Sequence, residues 1–589
     1  MTGFAKKNGL DKTVKVAIIC LDGAVPLYAN TLRFVAWKLR VEGGSVIRFG
    51  CDGILETCTS INSTGKIGLS GSEREKICQR CRAAQQEIAT KTFFEVNEKD
   101  KLADENAVRF LDEVKDRLAS GSRVADVLDM SYAGLPLCRI AFFDYSIVTK
   151  LAPESNLDAL SADRFVAGVS DLIKLIHAFE RFRKQHDITH IVYLNGNYTQ
   201  NSLARHIFGE KGVICLSVEP QLTSQRVLNR VMLAPDRLSL HPEGLFHFDL
   251  GNLSIDRNKL ADAQNVLLNF GARIKGADFN AYTSLDGQAI AAEEVGRFEK
   301  FLKTHKRITS FFLSSEDELT PHMITHGVSE VANPNPLGPY RTQLEFTSYL
   351  LAEAASHPEV GFVIRLHPRM AANKRDHFES EEHRRYKSLL AELNVPENVF
   401  VLYGDSKISS YFVISESDLV VISWSTIGLE ALLLGVPVIA VFPGYLMYPL
   451  AMLSKQPINQ GELESALCSN SNFGVADDKK LLAWMGMAFE GQFFATAAPR
   501  GRRRLLDKIY WVVYLISKRT GMIGAIYWLV NTILLRQVVI DTVRLLHRRE
   551  NETPGTEVFQ KASLQLLTRY RDKYRQLLEA YGLKIRRAR

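Results

Sequence analysis

At 589 residues the chain is too long for one ordinary core, and a length of this kind fits about three folding units. Its 46% hydrophobic and 24% charged residues are those of a globular protein, which excludes a largely disordered chain. The formal net charge of +7 is uneven: residues 500–589 carry 20 Lys/Arg against 7 Asp/Glu, so the first 499 residues are net acidic and the basic character belongs to the tail.

"MTGFAKKNGLDKTVKVAIIC" has no apolar run long enough for a signal peptide before Val14, so a cytoplasmic chain is expected. From Val14 a strand "VKVAIICL", a turn, a helical pattern "YANTLRFVAWKLRVEGG" and a strand "SVIRFG" follow in βαβ order. Cys51, Cys58, Cys78 and Cys81 then form C-x₆-C-x₁₉-C-x₂-C in a stretch read as a Gly/Ser-rich loop. Four thiolates at such spacing suit a structural Zn²⁺, with an iron–sulfur cluster or no metal at all as the alternatives. Eight cysteines in a reducing compartment argue against a disulfide framework, and Cys20, Cys138, Cys215 and Cys468 sit in apolar contexts as core residues.

Further strands are expected at "ITHIVYLNG" and "GVICLSVE", whose ends carry Asn195, Gly196 and Glu219 as candidates for the acceptor side. Leu222 to His305 is less regular and places a boundary near residue 300. The strand grammar resumes with "RITSFFLSS", "VGFVIRLHP", "NVFVLYG" and "DLVVIS", so two sets of parallel strands covered on both faces are predicted. No repeat recurs at a fixed period, and the chain after Val475 reads as helical.

Three motifs in the second set carry chemistry. "FFLSSEDELTPH" puts Glu316, Asp317 and Glu318 in a loop after a strand, where a carboxylate can take a proton from a hydroxyl; a solvated acidic loop is the plainer reading. "VGFVIRLHPRM" delivers Arg365, His367, Pro368 and Arg369 to a strand's carboxyl end, where guanidinium forks and an imidazole suit a phosphate. "DLVVISWSTIGLEALLLGVPVIAVF" breaks into Ser423–Thr426 where a strand meets a helix start. Ser425 and Thr426 offer hydroxyls there, the first helical N–H groups lack partners, and Gly428 permits close approach. Glu430 fits a ribose hydroxyl or simply the helix's positive end, while Gly435 ends the helix and Pro437 begins the next strand.

The tail, "RRRLLDKIYWVVYLISKRTGMIGAIYWLVNTILLRQVVIDTVRLLHRR", has apolar runs at Ile509–Ile516 and Gly521–Leu535, each short of the roughly 20 residues a span needs. Helices lying on an anionic membrane surface are expected, or a helical subdomain packed on the core.

In order and spacing, the three motifs together resemble the nucleotide-binding domain of bacterial capsule polysaccharide biosynthesis glycosyltransferases, relatives of Kdo transferases, polysialyltransferases and CDP-glycerol transferases. The resemblance spans about 130 residues in the second set. It extends weakly to "VYLNGNYTQNSLARHIFGEKGVICLSVE", where Asn197 stands in place of the family's Arg. It implies a GT-B fold: α/β, two Rossmann-like domains with parallel sheets facing a cleft, residues 1–300 and 301–475, with 476–589 as a helical membrane-associating region.

It also implies that His367, Pro368, Ser425 and Thr426 grip the donor nucleotide's phosphate. Glu316 or Asp317 would serve as base in a metal-independent, inverting displacement. The partners so implied are a nucleotide-sugar donor, a lipid-linked or polysaccharide acceptor, an anionic membrane at its inner face, and other capsule assembly proteins, with no nucleic acid. A CDP-linked polyol-phosphate transferase and a non-catalytic GT-B scaffold are the competing functions.

Overall fold

The computed structural model describes residues 14–41, 44–66, 68–88, 92–100, 104–118, 121–222, 228–235, 274, 292–325, 340–372, 378–446, 450, 453–454, 456–457, 459–469, 480–481, 493–495 and 556–580, and it gathers their strands into two sheets. The first contains β1 (Lys15–Ile19), β2 (Ser45–Cys51), β3 (Thr92–Val96), β4 (His190–Leu194), β5 (Ile214–Leu222) and β6 (Leu228–Pro235). The second contains β7 (Arg307–Phe312), β8 (Val360–Arg365), β9 (Val399–Leu402), β10 (Leu419–Ile422) and β11 (Val438–Ala440). A late strand, β12 (Phe493–Ala495), returns to the first sheet.

The first sheet runs β12-β6-β5-β4-β1-β2-β3, with β1 to β5 parallel and β6 and β12 attached as antiparallel neighbours. The second, β11-β10-β7-β8-β9, is parallel throughout. Side chains alternate between faces along a strand. Ala17, Ile19, Phe49 and Tyr193 therefore enter one core, while Val16, Ile18, Val46 and Val192 enter another on the opposite face. In the second sheet Ile308, Val363 and Val420 pack on one side, and Phe311, Phe362 and Val421 on the other. Burial on both faces is why these strands read as unbroken apolar runs rather than alternating ones.

Several expectations change. The cysteine-bearing stretch is not a loop throughout: helices form at Thr59–Asn62 and Gly71–Gln86. The longer one starts on a capping box in which Ser70 accepts from Glu73 N and Glu73 reaches back to Ser70 N. The Ser-x-x-Glu signature at Ser70–Glu73 was legible, and the surrounding Gly and Ser masked it.

The helix Ala292–Thr304 spans the expected boundary at residue 300, and its Phe298, Phe301 and Leu302 lie in the second sheet's core. The second unit therefore takes in residues before 300. Beyond Val441 the chain is not all helical, since Phe493–Ala495 pairs with the open edge of β6.

The basic apolar run 502–549 lies outside the described residues. The last helix, Thr556–Ala580, buries Leu567, Tyr574 and Leu578 against the second sheet's core, and Arg571 donates to Leu432 O and Leu433 O at 3.0 and 3.1 Å. Among the described residues no helix is long and apolar enough to cross a membrane.

The two units meet through helices that pass near their sheets' carboxyl edges. The helix Leu137–Thr149 packs against Glu316–Thr325, which begins just beyond β7. Asp144 on the first of these accepts from Thr199 N, at the helix start following β4. Lys150, with φ +54°, caps the same helix and donates from Nζ to Arg369 O at 2.6 Å, beyond β8.

Candidate active site

The register puts Ile422, Phe312 and Arg365 level with one another at the carboxyl ends of β10, β7 and β8. All three sequence motifs begin within a few residues of that level, on adjacent strands of one sheet edge. From β7 the chain moves outward to β8 and β9, then returns to place β10 on β7's other side. The loops after β7 and β10 therefore diverge, and such a switch point opens a crevice where ligands bind.

The edge is tied together by backbone-directed bonds. Trp424 N donates to Ser314 Oγ at 3.3 Å, joining the β10 and β7 loops. Gln343 holds Ser314 from both sides, accepting from its N at 2.8 Å and donating to its O at 3.1 Å. Trp424 packs edge-on against Tyr445, ring centroids 5.3 Å apart, giving the crevice an aromatic wall.

At the helix start, Ile427–Leu434, Thr426 is helical in backbone and makes no cap bond with its side chain. Ser425 Oγ accepts from Ile427 N at 3.3 Å instead. Both residues are partly exposed, Gly428 is buried beneath them, and Glu430 is only 3% exposed. Glu430 thus sits inside the fold rather than at the mouth. Gly435 ends the helix at φ +83°, the left-handed cap its position required.

The arginines of the β8 motif depart from the phosphate fork expected of them. Arg365 is 1% exposed and donates to Tyr403 O at 2.7 Å and Ser406 O at 3.4 Å, so it braces the loop after β9. Its place on the strand shares parity with Val363, which faces the interior. Burial pulls its pKa down to about 10. Arg369 is likewise buried and donates from Nε to Asp317 Oδ2 at 2.8 Å.

His367 is partly exposed at the edge, followed by Pro368. Its Nδ1 accepts from Arg369 N at 3.2 Å, so in the neutral ring Nε2 carries the proton. Burial lowers its pKa to about 4; Asp317 opposes that shift, and the nearby Arg369, Arg365 and Lys150 add to it. The ring is a neutral hydrogen-bond donor at physiological pH. In histidine-resolved NMR it is expected to stay neutral from pH 8 down to 5, and a midpoint above 6 would contradict this assignment.

The acidic loop divides into two roles. Asp317 is 9% exposed, accepts from Ser315 Oγ and is paired with Arg369. Glu316 instead meets Glu382, whose Oε2 accepts from Glu316 N at 3.1 Å. Burial comes first in raising both carboxyls above their usual range. For Glu382 the charges of Glu316 and Asp317 add to it, and for Glu316 those of Glu154 and Asp317 do. Carboxyls so buried hold their protons to higher pH than exposed ones do. Sequence reasoning missed Glu382; its position in the first turn of a helix opened by Ser380 gave no hint of a partner 66 residues away.

On the first unit's edge, Asn195 adopts φ +42° and its Oδ1 accepts from Asn197 N at 3.1 Å, while Gly196 N donates to Ser217 Oγ. Asn197 is 2% exposed. Glu219 is not at a strand end as expected. β5 runs on to Leu222, and Glu219 lies one residue past the Leu194↔Val218 pair, on the ribbon shared with β6.

Two Rossmann-like α/β units, joined so that helices from both carboxyl edges meet, form the GT-B architecture. Comparison with solved structures returns matches of low identity and low TM-score. They include a KpsC β-Kdo 2,4 transferase from Thermosulfurimonas dismutans (12% identity, 51% of this chain and 79% of that one, TM-score 0.22) and the β-Kdo 2,7 transferase of KpsC from the same organism (14%, 54% and 86%, 0.22). A third is the UDP-GlcNAc 2-epimerase of Methanocaldococcus jannaschii in complex with UDP-GlcNAc and UDP (10%, 81% and 100%, 0.24). No protein-family model and no curated protein matches the chain. The architecture therefore rests on strand order and register.

Proposed function

We propose that this protein is a glycosyltransferase that moves a sugar from a nucleotide-sugar donor to a surface polysaccharide or its lipid-linked precursor. The observation that carries the reading is the convergence of the Glu316–Glu382 pair, neutral His367 and the Ser425–Thr426 helix start on one switch-point edge.

The donor's phosphates would lie against the helix start, where the partly exposed Ser425 and Thr426 and the helix dipole favour an anion. The acceptor hydroxyl, entering from the first unit past Asn195 and Gly196, attacks the anomeric carbon. Glu316 takes the proton as the bond to the nucleotide's phosphate oxygen breaks. His367 Nε2–H donates to that departing oxygen, which gains charge in the transition state. Asp317 and Arg365 hold loops in place in this scheme.

The basic tail would keep the enzyme at the anionic inner face of the cytoplasmic membrane, where a lipid-linked acceptor is held. Capsule assembly is the setting the family resemblance suggests.

A thermal-shift panel with CMP, CDP, UDP and GDP tests the site. A ligand at about 100 times its Kd stabilises the folded state by about 2.7 kcal/mol. A rise in Tm with CMP or CDP, abolished in His367→Ala, is expected; a response to CDP alone would favour transfer of a polyol phosphate. Silence from all four nucleotides would overturn the enzyme reading in favour of a non-catalytic scaffold.

A further inference from the structure

We propose that Cys51, Cys58, Cys78 and Cys81 hold a thiolate-bound metal centre that fastens the loop after β2 to the helix Gly71–Gln86. The inference does not depend on the reading of the second unit's edge.

The four residues come together from separate pieces of chain. Cys51 ends β2, Cys58 precedes the short helix Thr59–Asn62, and Cys78 and Cys81 are one turn apart on the buried side of Gly71–Gln86. All are free thiols, Cys58, Cys78 and Cys81 are buried, and Cys58 lies within electrostatic reach of the other three.

Donors are already aimed at the sulfurs. Gly53 N reaches Cys51 Sγ at 3.2 Å, in a turn where Gly53 takes φ +109°, open only to glycine. Ser60 Oγ and Gln85 Nε2 reach Cys81 Sγ at 3.4 and 3.3 Å. A thiol is a weak acceptor, and donors so directed favour the charged thiolate that a metal requires.

The strand-β1 loop closes on the same group. Asp22, just past β1, is 2% exposed. Its neighbour Gly23 is pressed against Cys81, where an added Cβ would stand 2.8 Å from the carbonyl oxygen and 3.1 Å from Sγ. Arg74 and Arg82, on the same helix as Cys81, donate to the loop carbonyls of Gly53, Leu55 and Asp52 and fix the loop's backbone.

Spacing bears on the occupant. Tetrahedral zinc, with Zn–S of about 2.3 Å, needs sulfurs about 3.8 Å apart. Among the described residues the ligating set that already meets within 4.8 Å is Glu353, His357 and Cys468, at the opposite edge of the second sheet. The four thiols stand wider, so a single ion would draw them inward, whereas an iron–sulfur cluster would bridge a broader cage. Either way each thiol releases its proton as the metal–sulfur bond forms.

The test uses the full chain purified anaerobically without chelator. Elemental analysis is expected to give about one zinc per chain, or iron with matching acid-labile sulfide and visible absorption; the two results distinguish the occupants. Cys78→Ser/Cys81→Ser should lose the metal and Cys468→Ser should keep it. Should the double variant fail to fold, mercurial titration of the wild type serves, with metal released as the buried thiols react. A preparation far below one equivalent of metal, whose thiols react without releasing any, overturns the proposal.

Discussion

Glu316→Gln is expected to reduce sugar transfer by about 100- to 10,000-fold, the range a positioned general base supplies, while leaving the fold and nucleotide binding intact. Gln keeps the shape and loses the proton acceptor. The companion change, Glu382→Gln, separates the base from its neighbour. Burial and the charges of Glu316 and Asp317 keep Glu382 protonated, so Gln, which copies that neutral form, should leave the acid limb of kcat/KM in place.

The same variant makes a stability prediction of fixed sign. A carboxyl whose folded pKa is raised contributes its stability below its unfolded value, near 4.5, and loses it as pH rises through the folded value. Glu382→Gln should therefore raise Tm relative to wild type at pH 8, with the difference vanishing near pH 4. Full activity in Glu316→Gln would refute the assignment of the base.

The parallel strands and the place of the three motifs were legible because strands buried on both faces leave long apolar runs and turn residues punctuate them. Ser425, Thr426 and His367 could be read for the same reason, since a strand's carboxyl end is marked by where the apolar run stops. What each polar side chain does there was less visible. Arg365 and Arg369 read as phosphate ligands by type, yet one braces carbonyls 38 and 41 residues away and the other meets a carboxylate 52 residues away. Such partners are set by tertiary packing, to which local pattern is blind. Thr92–Val96 and Phe493–Ala495 escaped for another reason: they form by pairing with an edge already present.

Asp317→Ala is expected to destabilise the second unit by about 3–5 kcal/mol, because it strands the Arg369 guanidinium in a site where both side chains are at most 7% exposed. For a unit of 150–250 residues this amounts to a fall in Tm of roughly 6–20 °C. The double variant Asp317→Ala/Arg369→Met should recover most of that loss, since replacing a buried pair with apolar groups is often neutral whereas breaking it is not. The cycle also discriminates between the two carboxylates offered by the acidic loop. If Asp317 were the base, the second substitution would restore Tm but not turnover. If Asp317 instead holds the His367 loop through Arg369, stability and activity fall together in the single variant and return together in the double. That leaves proton abstraction to Glu316, the carboxylate whose partner is another acid.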